Sequence, residues 1–124
     1  MLKKLQEKGT AAMRVINERS GEVLLTELKE ADTFLKRFKG LMFKKKLPSG
    51  TGLKIEPCSS IHTFNMKFPI DVLFVSKDHR VLKVITEMKP GKVSAVVKAS
   101  RYVIEANENE FTGKVSVGDL LKFE

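Results

Sequence analysis

From Leu53 onward the chain is a succession of short β-rich runs divided by turn residues, and this pattern constrains its fold more than any other feature. Leu53–Glu56, Ser60–Met66, Asp71–Ser76, Val81–Glu87, Val93–Val97, Tyr102–Ala106, Gly113–Val117 and Leu120–Phe123 are bounded by Gly, Pro, Asp or Asn. Many short strands at close spacing predict a mainly β sandwich or barrel. Lys77-Asp78-His79-Arg80 reads as one hairpin connection, and Ser20-Gly21, between Ala11–Asn17 and Glu22–Leu28, as another. The period changes once. Ala31, Phe34, Leu35 and Phe38 fall at i, i+3, i+4 and i+7, with Asp32 placed to cap and Gly40 to stop, so one short helix is expected near residues 32–39.

The length of 124 residues fits one domain, with residues 1–10 as a lead-in and 11–124 as a single small β domain. A hydrophobic fraction of 42% with eight Phe can fill its core without covalent staples. The one cysteine, Cys58, allows no internal disulfide and suits a reducing compartment, so a cytoplasmic monomer is expected. No apolar run approaches the roughly 20 residues of a membrane-spanning helix, and the N-terminus lacks the apolar core of a secretion signal.

The net charge of +8 is unevenly distributed. Between Thr33 and Ile55 lie Lys36, Arg37, Lys39, Lys44, Lys45, Lys46 and Lys54 with no acidic residue, leaving 16 basic against 15 acidic residues elsewhere. Lys44 to Gly52, with its Pro and two Gly, reads as an exposed loop. Such a cationic face attracts nucleic acid or an anionic surface, although charge runs also serve simply as solvated faces.

Several longer signatures go beyond composition. They are Ala31-x-Thr33-x3-Arg37-x2-Gly40-Leu41-Met42, the stretch Ile61 to Val75, Met88-x-Pro90, Ala99 to Glu105, and Val117-Gly118-Asp119-Leu120-Leu121. In their order and spacing the chain resembles, from about Met13 to Phe123, the uncharacterised domain of unknown function 192 family. The resemblance implies a small jelly-roll-like β fold with one short helix and no established activity. Two departures stand out: Asn65 separates Phe64 from Met66, and Ala106 to Glu110 replaces a Leu-Pro-x-Gly loop.

Within Ser60–Met66 an extended backbone would place His62, Phe64 and Met66 on one face. His62 is then either a satisfied core imidazole or a ligand contact, and Asp71 could orient it or cap the turn after Pro69. Arg37, Lys67 and Glu105 lie in the matched signatures, where Arg37–Glu105 or Lys67–Asp71 ion pairs compete with ligand binding. Cys58, His62 and Asp71 supply the residue types of a cysteine hydrolase, but Pro57 and Ser59-Ser60 give Cys58 no helix start to acidify its thiol. One Cys and two His cannot close a zinc shell without carboxylates, and no phosphate-binding glycine loop precedes a helix. The leading expectation is a non-enzymatic module, without cofactor or metal, that binds a small ligand or a protein through Arg37, His62, Lys67, Asp71 and Glu105. The alternative is polyanion binding through Lys36, Lys39, Lys44, Lys45, Lys46 and Lys54.

Overall fold

The structure, a computed structural model, describes residues 13–31 and 46–124. The helix expected near residues 32–39, the lead-in over residues 1–10, and Lys36, Arg37, Lys39, Lys44 and Lys45 lie outside the described residues. The remainder is mainly β and forms two sheets. β1 (Val15–Asn17), β2 (Val23–Leu25) and β8 (Leu121–Phe123) make an antiparallel sheet in the order β2-β1-β8. β3 (Glu27–Ala31), β4 (Thr51–Ile55), β5 (Ile70–Ser76), β6 (Val81–Met88) and β7 (Ser100–Asn107) make a larger one in the order β3-β4-β7-β5-β6. Only the β3–β4 pair of that sheet is parallel. No helix among the described residues is long and apolar enough to cross a membrane.

Both expected hairpins are present, as antiparallel β1–β2 and β5–β6 pairs. The single run expected over Glu22–Leu28 is instead two strands in different sheets. The chain leaves the small sheet at Thr26, whose N–H donates to the Gly50 carbonyl at 2.9 Å, and enters the large one as β3. Two glycines make this crossing fit. A Cβ on Gly50, at φ +78°, would stand 2.7 Å from Thr26 Oγ1, and one on Gly52 would collide with Leu25 Cδ1.

Every residue of β5 is buried, because the large sheet is covered on both faces. Leu73 and Val75 point between the sheets, with Val15, Leu24, Leu25, Tyr102, Ile104, Phe111 and Leu121. Ile70, Val72 and Phe74 point the other way, beneath Ile61, Met66, Phe68, Cys58 and Val97. That second cover is built from loops. Three expected strands, Ser60–Met66, Val93–Val97 and Gly113–Val117, are irregular chain. In the first, Asn65 at φ 64° breaks the extension, and Met66 N–H turns back to the Thr63 carbonyl at 3.2 Å. Met66 is therefore buried while Phe64 is exposed, and the expected common face of His62, Phe64 and Met66 does not exist. In the second, Ser94 and Val97 bond to Ile61 and Ser59, a spacing of three residues rather than the two of a strand. In the third, Gly113 at φ 74° and the Asp119 carboxylate, which accepts from Ser116 N–H at 2.8 Å, shape a turn.

Candidate functional site

Residues 57–69 and 89–99 run antiparallel to each other across the outer face of the large sheet, and Thr63 holds them together. Its buried hydroxyl donates to the Lys89 carbonyl at 2.6 Å and accepts from Lys92 N–H at 2.8 Å. Its N–H donates to the Lys92 carbonyl at 2.8 Å, and its carbonyl accepts from Gly91 N–H at 2.9 Å. A short hydroxyl side chain suits this duty, since it can donate and accept at once within a tight backbone cluster.

The residues on either side of this clasp face outward. His62 and Phe64 stack with ring centroids 5.2 Å apart and an interplanar angle of 27°. Phe64 N–H donates to His62 Nδ1 at 3.2 Å, which requires that nitrogen to be unprotonated. Phe64 is 48% exposed, and Val93 and Val96 are each 66% exposed. Large apolar side chains left in water within one loop layer are the usual mark of a contact surface. Lys67, Lys89, Lys92 and Lys98 are exposed in the same two segments. No acidic residue occurs over 57–70 or 88–104.

Asp71 belongs to a different part of the molecule's chemistry. It is fully buried; Oδ1 accepts from Glu87 N–H and Oδ2 from Phe111 N–H, each at 3.0 Å. With both oxygens occupied it neither orients His62 nor pairs with Lys67. Glu87, at φ 52°, sits in a bulge of β6, where two residues oppose Asp71 between the Ile70–Met88 and Val72–Ile85 pairs. Bulges leave a backbone donor without a ladder partner, and Asp71 supplies one.

Glu105 lies on the sheet face beneath the loops, opposite Leu53 on one side and Val72 on the other. Burial in this apolar row pushes its carboxyl up to about 7. Arg37, its expected partner, lies outside the described residues. Burial also raises the Cys58 thiol, with a smaller upward push from the Glu105 carboxylate. The thiol donates to the Ser60 carbonyl at 3.1 Å, while Phe64 N–H occupies His62 Nδ1. Among the described residues the Cys58 thiol is thus bonded to a backbone carbonyl and not to an imidazole that could activate it.

The Glu105 environment makes stability depend on pH. The unfolded carboxyl ionises near 4.5 and the folded one near 7, so the contribution is complete at low pH and is lost as pH rises through about 7. The loss should amount to roughly 3–4 kcal/mol at about 1.4 kcal/mol per pH unit of difference. Urea titrations at pH 5 and pH 8 should show it, and Glu105→Gln should abolish most of it and be the more stable protein at pH 8. Parallel pH profiles for the two proteins would exclude this account.

Of the residues proposed for polyanion binding, Lys46 is exposed, but Lys54 is not free. Its Nζ lies 3.3 Å from Glu56 and 4.6 Å above the Tyr102 ring. Beside the β5–β6 hairpin, a shallow pocket of about 200 Å³ is lined by Glu18, Arg19, Arg80, Gly118, Asp119 and Leu120. Its charges are matched internally. Arg19 makes a two-pronged contact with Asp119 at 2.8 and 3.0 Å, holding that carboxyl far below the usual range, and Arg80 donates to the Gly118 carbonyl at 2.8 Å.

A two-sheet β protein with an aromatic, lysine-rich loop layer on its larger sheet is the class that these features define. The chain belongs to the DUF192 family, described as uncharacterized ACR, whose match spans residues 15–123. A UPF0127 protein of Thermococcus kodakarensis is 36% identical over 118 residues, covering 88% of this chain and 72% of the relative. One from Pyrococcus horikoshii is 34% identical over 117 residues, covering 88% and 97%. Among solved structures, a protein of unknown function from Novosphingobium aromaticivorans aligns with a TM-score of 0.73 at 24% identity, over 90% of this chain and 83% of that one. A candidate transcription regulator from Sinorhizobium meliloti aligns with a TM-score of 0.76 at 23% identity, over 90% and 91%. At these identities the structural likeness establishes the fold alone.

Thr63, Phe64, Lys89, Lys92, Val93 and Val96 escaped the sequence reading as site residues. The one signal available was the absence of acidic residues from two separated segments. Pairing those segments required the fold.

Proposed function

We propose that this protein is a non-enzymatic binding module whose contact surface is the loop layer around His62, Phe64 and Lys67. The observation that carries this reading is the exposed His62–Phe64 stack, locked through Thr63 to the backbone of Lys89 and Lys92. A preorganised aromatic platform costs little ordering entropy on binding. Asp71 and Glu105 serve this surface from below, by fixing the β6 bulge and the sheet face, and do not touch the ligand. The polyanion alternative through Lys36, Lys39, Lys44, Lys45 and Lys46 rests on the charge run alone, Lys54 being engaged with Glu56 and Tyr102. The half-buried Cys58 thiol, raised by burial, supports a structural role for that residue, and one cysteine in the sequence suits a reducing compartment.

The test is a two-dimensional amide NMR titration against nucleotides, sugar phosphates, neutral hexoses, acidic peptides and short oligonucleotides. Shifts are expected within residues 59–68 and 88–98, and Phe64→Ala should remove them while retaining the melting temperature. Shifts confined to other residues, or none with any ligand class, would overturn the proposal.

A further inference from the structure

Resting on that reading, we infer that the loop layer binds single-stranded nucleic acid, with an unpaired base stacked on Phe64 and the phosphates running along Lys67, Lys89, Lys92 and Lys98. Three properties of the surface select this partner. The first is charge. All four lysines are exposed and neither segment that forms the layer contains a carboxylate, so the layer itself is cationic and attracts an anion. Arg101 follows in the same acid-free stretch, but its guanidinium is held by Glu56 at 2.8 Å and is not counted.

The second is the ring pair. His62 backs one side of Phe64, and Phe64 remains 48% exposed. A base has a π-face whatever its identity, and an exposed aromatic ring beside cations is the arrangement that holds unpaired bases. A duplex hides its base faces, which separates the single strand from double-stranded competitors. The third is extent. The bonds Thr63–Lys92, Ile61–Ser94 and Ser59–Val97 tie five residues of one segment to the other. That is a platform of up to roughly 13 Å at about 3.3 Å per residue, long enough for more than one phosphate of an unpaired strand. It is open, whereas a site for one small molecule encloses most of its ligand. Exposed Val93 lies opposite His62 and would cover the apolar edges of bases or riboses.

Fluorescence anisotropy with a labelled 12-nucleotide single strand, the same sequence as a duplex, and free UMP as competitor tests this inference directly. The single strand should bind more tightly than the duplex and resist displacement by UMP. Its log K should fall with log salt by about 0.7 per phosphate contact. Phe64→Ala should weaken binding by roughly 5- to 150-fold, one stacked base, with the salt slope unchanged. Lys89→Gln with Lys92→Gln should flatten the slope by about 1.4, two contacts. Lys122→Gln, on β8 of the small sheet, should change neither. Both site variants alter exposed side chains, and circular dichroism confirms that they fold. Equal affinity for duplex and single strand, or binding indifferent to Phe64→Ala, overturns the inference. Should no oligonucleotide bind while the NMR titration finds another ligand on residues 59–68, the inference falls and the binding-module reading stands. Oligonucleotide binding that maps elsewhere sinks both.

Discussion

Asp71→Ala is expected to lower the unfolding free energy by about 3–5 kcal/mol. Two backbone donors, Glu87 N–H and Phe111 N–H, end on its carboxylate in a fully buried setting. Hydrogen bonds to a charged group each contribute about 1.5–3 kcal/mol, and a buried donor left alone bears its full desolvation cost. Asp71→Asn should cost less, because one oxygen remains to accept. The check is the urea midpoint at unchanged slope, together with ligand affinity measured well below the melting temperature. Affinity should be unchanged in the folded variant. A loss of stability under about 1 kcal/mol would refute the anchoring role, and a selective loss of affinity would return Asp71 to the binding surface.

Phe111→Ala should be comparably severe, at about 3–5 kcal/mol, the range for truncating a fully buried aromatic. Phe111 is completely inaccessible and packs between the two sheets with Leu73, Tyr102, Ile104 and Val115. Its backbone is also the partner of Asp71. The two substitutions therefore disturb one unit, and the double variant should lose clearly less than the sum of the singles. Additive losses would show that the ring and the carboxylate stabilise the fold independently. Thermal and urea melts of the three variants decide the matter.

Phe111 also marks where sequence reasoning reached its limit. It stands in Glu110-Phe111-Thr112-Gly113, among residues that form no strand. A single apolar residue in a loop carries no periodicity, so nothing local separates a core anchor from an exposed side chain. The strands of the large sheet were more legible. β5, β6 and β7 have runs of apolar residues long enough to exceed their turn signals, and Lys77 to Arg80 announces its hairpin. Ser60–Met66 misled for a specific reason. Alternation implies a common face only if the backbone stays extended, and Asn65 in the left-handed region ends that. The motif was found, its faces were not. Likewise Lys89 and Lys92 become neighbours of Phe64 only through bonds to Thr63 across more than twenty residues of sequence, a relation that no local pattern encodes.

The position of β7 has a consequence for how the protein is made. In the order β3-β4-β7-β5-β6 it is the one strand joining two otherwise separate pairs, and it spans Ser100–Asn107. Until those residues have been synthesised, β3–β4 and β5–β6 have no common sheet. β1 also waits for its partner β8, more than one hundred residues later. A nascent chain therefore carries the apolar run of β5 without its β7 partner from the synthesis of Ser76 until Ser100–Asn107 have followed. Folding belongs to the moment after the last strands clear the ribosome, and it proceeds at the millisecond-to-second pace of sheets closed by distant pairings. Residues 70–76 lack their sheet partner during that interval, a condition set by the order of strands in the sheet and not by the stability of the finished fold.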